Sequence, residues 1–183
     1  MVNSDSFKIE KPNVLLIAGN GRNVGKTYLA CKIIEQLSKF GKVTGIKISS
    51  HFHPVNEKDV VLKTKNFVIA EENEINRKDT SRMLQAGAEK VYFVMAQQKN
   101  LNSAFFELNK ILPNGAIVCE SGGLNEIITP GAFLFVKRGK ERIIKDSYLR
   151  FNTEVVENDG QKIDFDLQSV SFENNRVVIK KDG

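Results

Sequence analysis

Along its first two thirds the chain alternates short apolar runs with amphipathic stretches. Residues 13–18 form a near-continuous apolar run, the pattern of a strand buried on both faces. A glycine-rich turn follows. Leu29, Ile33, Leu37 and Phe40 then recur on one face of a predicted helix over 26–40, with Gly41 placed to stop it. Residues 43–48 predict a second strand, so the chain opens as a βαβ unit. Residues 60–62 and 67–70 flank a polar turn at 63–66 and predict a β-hairpin, set as an insertion at about 54–78 between core elements. Asp79 stands where an N-cap belongs, before a helix running to about Gly87. A strand at 91–95 precedes a helix at 101–112, with Leu101, Phe105, Leu108 and Ile111 on one face, and a buried strand at 116–119.

Beyond Pro130 the pattern changes to alternation and turns. Residues 132–136 and 142–145 flank Arg138-Gly139-Lys140, and residues 170–172 and 177–179 flank Asn174-Asn175, a turn signal. An antiparallel, β-rich appendage is expected over about 132–183. Together these elements predict one domain over 1–183, a three-layer α/β fold with a mostly parallel sheet and β-hairpin additions.

Composition narrows the partners. Lysine and arginine number 27 against 22 acids, a net charge of +5, which suits an anionic ligand. The basic residues are scattered, with no run of five or six, so no nucleic-acid partner is expected. The two cysteines, Cys31 and Cys119, lie in apolar stretches without a CxxC spacing, which fits a reducing compartment. The N-terminal stretch is polar, and the longest apolar run is far too short to span a bilayer. A cytoplasmic protein without a membrane partner is expected.

The segment Gly19-Asn20-Gly21-Arg22-Asn23-Val24-Gly25-Lys26-Thr27 carries the strongest chemical signal. A loop that wraps phosphate oxygens aims several backbone N–H groups inward, which glycine permits. The helix that follows from Lys26 adds unpaired N–H groups and a favourable dipole, so the residues expected to hold the nucleotide run from Gly19 through Tyr28. Lys26 supplies a fixed charge for the β and γ phosphates, and the Thr27 hydroxyl is placed to ligate Mg²⁺. The usual P-loop spacing has four residues between its glycines; here there are five between Gly19 and Gly25. A metal-bound triphosphate also needs a carboxylate at the end of a neighbouring buried strand. Glu120 directly follows the run 116–119, and Ser121-Gly122-Gly123 lets the chain turn sharply beside it. Glu120 is therefore expected to hold Mg²⁺ or its bound water, with Lys26 and Glu120 as the catalytic pair.

These residues resemble two families of P-loop proteins. The five-residue glycine spacing, Thr44-Gly45-Ile46-Lys47 and Glu120-Ser121-Gly122-Gly123-Leu124 are similar to dethiobiotin synthetases. Asn23-Val24-Gly25-Lys26-Thr27, the stretch from Ile46 to His53 and the stretch from Lys78 to Ala88 resemble MobB, the GTP-binding accessory proteins of molybdopterin-guanine dinucleotide biosynthesis. The likeness covers roughly residues 12–125. It implies a P-loop NTPase sheet, GTP or ATP with Mg²⁺ as ligands, slow hydrolysis, and a partner enzyme or cofactor precursor. A homodimer is compatible with it. The alternative it implies is an ATP-dependent small-molecule ligase or kinase. Lys47 then reads either as a phosphate or substrate contact or as a surface lysine at a strand end. His51 and His53, the only histidines, read as metal ligands, a base, or a polar loop that senses the nucleotide. Arg82 is placed to reach an anion or pair with an acid. Asn109-Lys110 begins like a guanine-reading loop but sits in an apolar-periodic helix, so the base is not readable.

Overall fold

The structure, a computed structural model, describes residues 8–139, 148 and 153–180. It is a mixed α/β fold, rich in strands, with a large, mostly parallel central sheet and few helices. Strand β1 (Ile9–Gly19) leads into helix α1 (Lys26–Leu37) and strand β2 (Val43–Ser49). Strands β3 (Val60–Lys63) and β4 (Phe67–Glu71), helix α2 (Asp79–Gln85), strand β5 (Lys90–Ala96), helix α3 (Leu101–Ile111) and strand β6 (Ala116–Glu120) follow. The remaining strands are β7 (Ile128–Arg138), β8 (Thr153–Asn158), β9 (Ile163–Asp164), β10 (Val170–Glu173) and β11 (Arg176–Ile179).

Among the described residues nine strands lie in one sheet, in the order β3-β4-β5-β2-β6-β1-β7-β8-β9. The six from β5 to β8 run parallel, and antiparallel pairs close both edges. Alternation along β1 splits its side chains between the two faces. Val14, Leu16 and Ala18 join a core containing α3, while Leu15 and Ile17 join one containing α1 and α2. A strand buried this way must be apolar at every position, which is what the run at 13–18 shows. No helix among the described residues is long and apolar enough to cross a membrane.

Several expectations are revised. The 60–71 hairpin forms, but it is not an insertion outside the core. β4 pairs antiparallel with β5 from Phe67↔Ala96 to Glu71↔Tyr92, and Phe67, Val68, Ile69 and Ala70 are buried. α1 ends three residues before Phe40, because the Ser38 N–H closes the last turn on the Ile34 carbonyl at 2.8 Å. Phe40 is consequently 79% exposed, and Gly41 adopts no left-handed cap. Asp79 is the first residue of α2 rather than its N-cap; the cap is Lys78, and the Asp79 carboxylate bonds Lys47 instead. Ile111 is exposed, and Ala104 takes the fourth buried place on α3.

The C-terminal third is only partly antiparallel. β7 lies parallel to both β1 and β8, because residues 121–127 carry the chain from the end of β6 back to the level of Ile9, where β1 also begins. The expected strand at 142–145 lies outside the described residues. β8–β9 and β10–β11 are antiparallel. Asn174 and Asn175, at φ 51° and 58°, supply the two left-handed residues of the second of these turns.

Candidate functional site

Five parallel strands, β5 to β7, deliver their carboxyl ends to one edge of the sheet, and the glycine-rich loop 19–25 leaves β1 in the middle of it. Ligands of open α/β sheets collect at such an edge. Gly19 is where β7 crosses: a Cβ there would lie 2.5 Å from the Val136 carbonyl. The Asn20 N–H donates to that carbonyl at 3.2 Å, and the Asn20 side chain accepts from the Arg138 N–H at 3.3 Å. Gly25 has φ 107°, and a Cβ on it would strike the Asn158 amide at 2.6 Å. Asn158 donates in turn to the Val24 carbonyl at 2.7 Å. The loop is thus pinned to β7 at its start and β8 at its end.

Lys26 opens α1 and folds back to donate to the Gly21 carbonyl. Burial pushes its pKa down, partly opposed by the charge of Glu120. Glu120 ends β6, in register with Ile17 of β1 and Lys47 of β2, because β6 lies between those strands. Odd positions of β2 and even positions of β6 at this end face α1 and α2, so Lys47 and Glu120 meet there rather than in the α3 core. Glu120 is 6% exposed; it accepts from Thr27 Oγ1 at 2.6 Å and from Lys47 Nζ at 3.1 Å. Lys47 also donates to Asp79 Oδ2 at 2.6 Å, and Arg82 stands 3.5 Å from Asp79 Oδ1. Burial works against the charge on Lys47, but Glu120 and Asp79 outweigh it and hold its pKa above the ordinary lysine value. Burial likewise opposes the Asp79 carboxylate, and Lys47 and Arg82 overcome it, keeping its pKa below the ordinary value.

These side chains line one cleft of about 520 Å³, within the range of small-ligand sites. Arg22, Asn23, Gly25, Lys26, Thr27, Tyr28, Lys47, His51, His53, Asp79, Arg82 and Glu120 all face it. Gly19 and Asn20 are engaged with β7, Gly21 gives its carbonyl to Lys26, and Val24 is buried against α1. Ser121 does not face the cleft; it is buried, and its hydroxyl accepts from the Gly123 and Leu124 N–H groups to close the turn after β6. The His53 ring packs 6.1 Å from Phe93. Among the described residues no group of three or more His, Cys, Asp or Glu side chains forms a ready-made metal cage. A second cavity, of about 290 Å³, adjoins the cleft through Lys47, His53 and Asp79. Sequence reasoning missed Asn158, which sits in a polar Asn-Asp-Gly stretch that reads only as a turn.

No protein-family model matches the chain, and neither a curated protein nor a solved structure matches it.

Proposed function

We propose that this chain is a P-loop protein that binds a nucleoside triphosphate with Mg²⁺ and hydrolyses it slowly. The observation that carries the reading is the convergence of Lys26, Thr27, Lys47 and Glu120 over a glycine-rich loop at a helix start, within one cleft. Lys26 leaves the Gly21 carbonyl for a phosphate oxygen, an acceptor that carries the opposite charge. The N–H groups at the start of α1 have no partner within the helix and point to the same place. Thr27 Oγ1 and Glu120 Oε2 lie side by side, the hard oxygen pair that suits Mg²⁺ beside phosphate and water. The ion, when bound, supplies neutralising charge at the phosphates.

Slow turnover follows from how the acids are engaged. Both carboxylates that line the cleft are already tied, Glu120 to Thr27 and Lys47, and Asp79 to Lys47 and Arg82. Neither is free to orient an attacking water. Hydrolysis is expected far below the usual enzyme range of about 1–10³ per second. By resemblance to MobB, the role is that of a GTP- or ATP-binding accessory protein, acting with a partner enzyme or cofactor precursor in molybdenum-cofactor synthesis.

One observation favours a second reading. The adjoining cavity meets the cleft at Lys47 and Asp79, where an acceptor would sit beside the terminal phosphate. That is the arrangement an ATP-dependent ligase or kinase resembling dethiobiotin synthetase requires. Phosphate release with Mg²⁺ and GTP or ATP, with and without a panel of small acceptors, separates the two. The panel includes diaminopelargonic acid with CO₂ and molybdopterin-type precursors. The accessory reading expects slow release throughout; fast turnover with any small acceptor and no partner protein overturns it.

A further inference from the structure

A third cavity, of about 380 Å³, opens on the other side of the glycine-rich loop, between the first turns of α1 and the β8–β9 hairpin. Tyr28 lines both this cavity and the phosphate cleft. It is the residue directly after Thr27, and it is half exposed. Ile163, Phe165 and Leu167 provide an apolar wall on the hairpin side. Gln161 and Lys162 add polar groups at the rim.

The hairpin is built into the loop. Asn158 donates to the Val24 carbonyl, and the Ile163 methyl comes within 3.1 Å of where a Gly25 Cβ would lie. Its turn is braced from within. Asn158 Oδ1 accepts from the Gly160 N–H at 2.9 Å, and Asp159 Oδ1 accepts from the Gln161 and Lys162 N–H groups at 2.7 Å each. The hairpin wall is therefore held in fixed relation to the loop.

The two cavities flanking the cleft differ in chemistry. The one at the Lys47 end is strongly polar, with the carboxylates of Asp59, Glu71 and Glu72 beside Lys47 and Lys78. Both have aromatic and apolar lining, Phe93 and Val55 at the Lys47 end and Tyr28, Phe165 and Ile163 at the other, so the carboxylates are what sets them apart. A heteroaromatic base takes the second, because stacking and apolar contact reward it and, among the described residues, no carboxylate lines that cavity.

We infer that the β8–β9 hairpin and Tyr28 form the nucleoside pocket, which receives a purine base while its phosphates lie over the glycine-rich loop. This inference rests on the nucleotide-binding reading above. It gives the β-rich C-terminal third a direct part in ligand selection.

Calorimetric titration with Mg²⁺ and either ATP, GTP or inorganic tripolyphosphate tests it. The wild-type protein binds at least one purine nucleotide more tightly than tripolyphosphate. Phe165→Ala lowers that nucleotide's affinity about tenfold, in line with the loss of one base–aromatic contact, and leaves tripolyphosphate affinity unchanged. Tyr28→Ala loses a similar factor on the nucleotide, and Tyr28→Phe retains it. A thermal melt accompanies each variant. Equal wild-type affinity for tripolyphosphate and both nucleotides overturns the pocket assignment without any variant, and leaves phosphate binding standing. Unchanged nucleotide affinity in folded Phe165→Ala and Tyr28→Ala proteins overturns it too. Failure of the wild type to bind any of the three probes overturns both the pocket and the reading beneath it.

Discussion

At Lys47 one ammonium group bridges two carboxylates on different elements, Asp79 of α2 and Glu120 of β6. Removing it leaves Glu120 buried with Thr27 as its remaining bonded partner among these groups. Lys47→Met is expected to destabilise the fold by about 1–3 kcal/mol near neutral pH, the cost of a buried group losing its partner. The pH dependence has a fixed sign. The Asp79 pKa is depressed, so its share of stability is present above the ordinary 3.8 and is lost as pH falls through the lower folded value. The Lys47 pKa is raised, so its share is present below the ordinary 10.5 and is lost as pH rises through the higher folded value. Denaturant unfolding of both proteins across pH should show the full gap between those limits, closing at each end. A gap that persists unchanged well below 3.8 would mean that Lys47 acts through packing instead. Lys26, Thr27 and Glu120 were legible as a spacing and as a strand end. The Lys47–Asp79 bond was not, because it depends on α2 being placed beside β2 by contacts 32 residues away in sequence.

At the scale of elements, the β3–β4 hairpin was legible as a hairpin but its place was not. Alternation and a polar turn identify two strands; they do not say which sheet edge receives them. β4 pairs with β5 along five residues and buries Phe67, Val68 and Ile69. At about 1.5–3 kcal/mol for each large side chain, that burial rivals the whole stability of a small domain, about 5–15 kcal/mol. Deleting residues 56–74 and closing the gap with a short glycine linker is therefore expected to unfold the protein, read by circular dichroism and a thermal melt. A cooperative melt near the wild-type temperature would show that β5 tolerates being an edge. The C-terminal strands taught a related lesson. Apolar alternation at 132–136 predicted a strand correctly, but its direction is set by pairing with β1, which no local pattern encodes. Asn174-Asn175 was readable because two left-handed residues are a local demand.

For the whole molecule, the β6 strand between β1 and β2, the glycine-rich loop between β7 and β8 contacts, and α2 across β2 together gather distant residues into one charged cleft. The sequence order suggested a βαβ unit without saying what lies between its strands; the insertion of β6 there is what puts Glu120 beside Lys47. The central claim is that this cleft holds the phosphates of a nucleotide. Its most direct test is calorimetric titration of Mg²⁺ with GTP and with ATP into the wild-type protein and into Lys26→Ala, with a thermal melt of each. Among the described residues the Lys26 side chain bonds the Gly21 carbonyl of its own loop, so the variant should fold and melt like the wild type. The account predicts saturable binding to the wild type and a loss of about tenfold or more in Lys26→Ala, the scale of a charge-assisted hydrogen bond. Equal affinity in a folded Lys26→Ala protein, or no binding to the wild type, would contradict it.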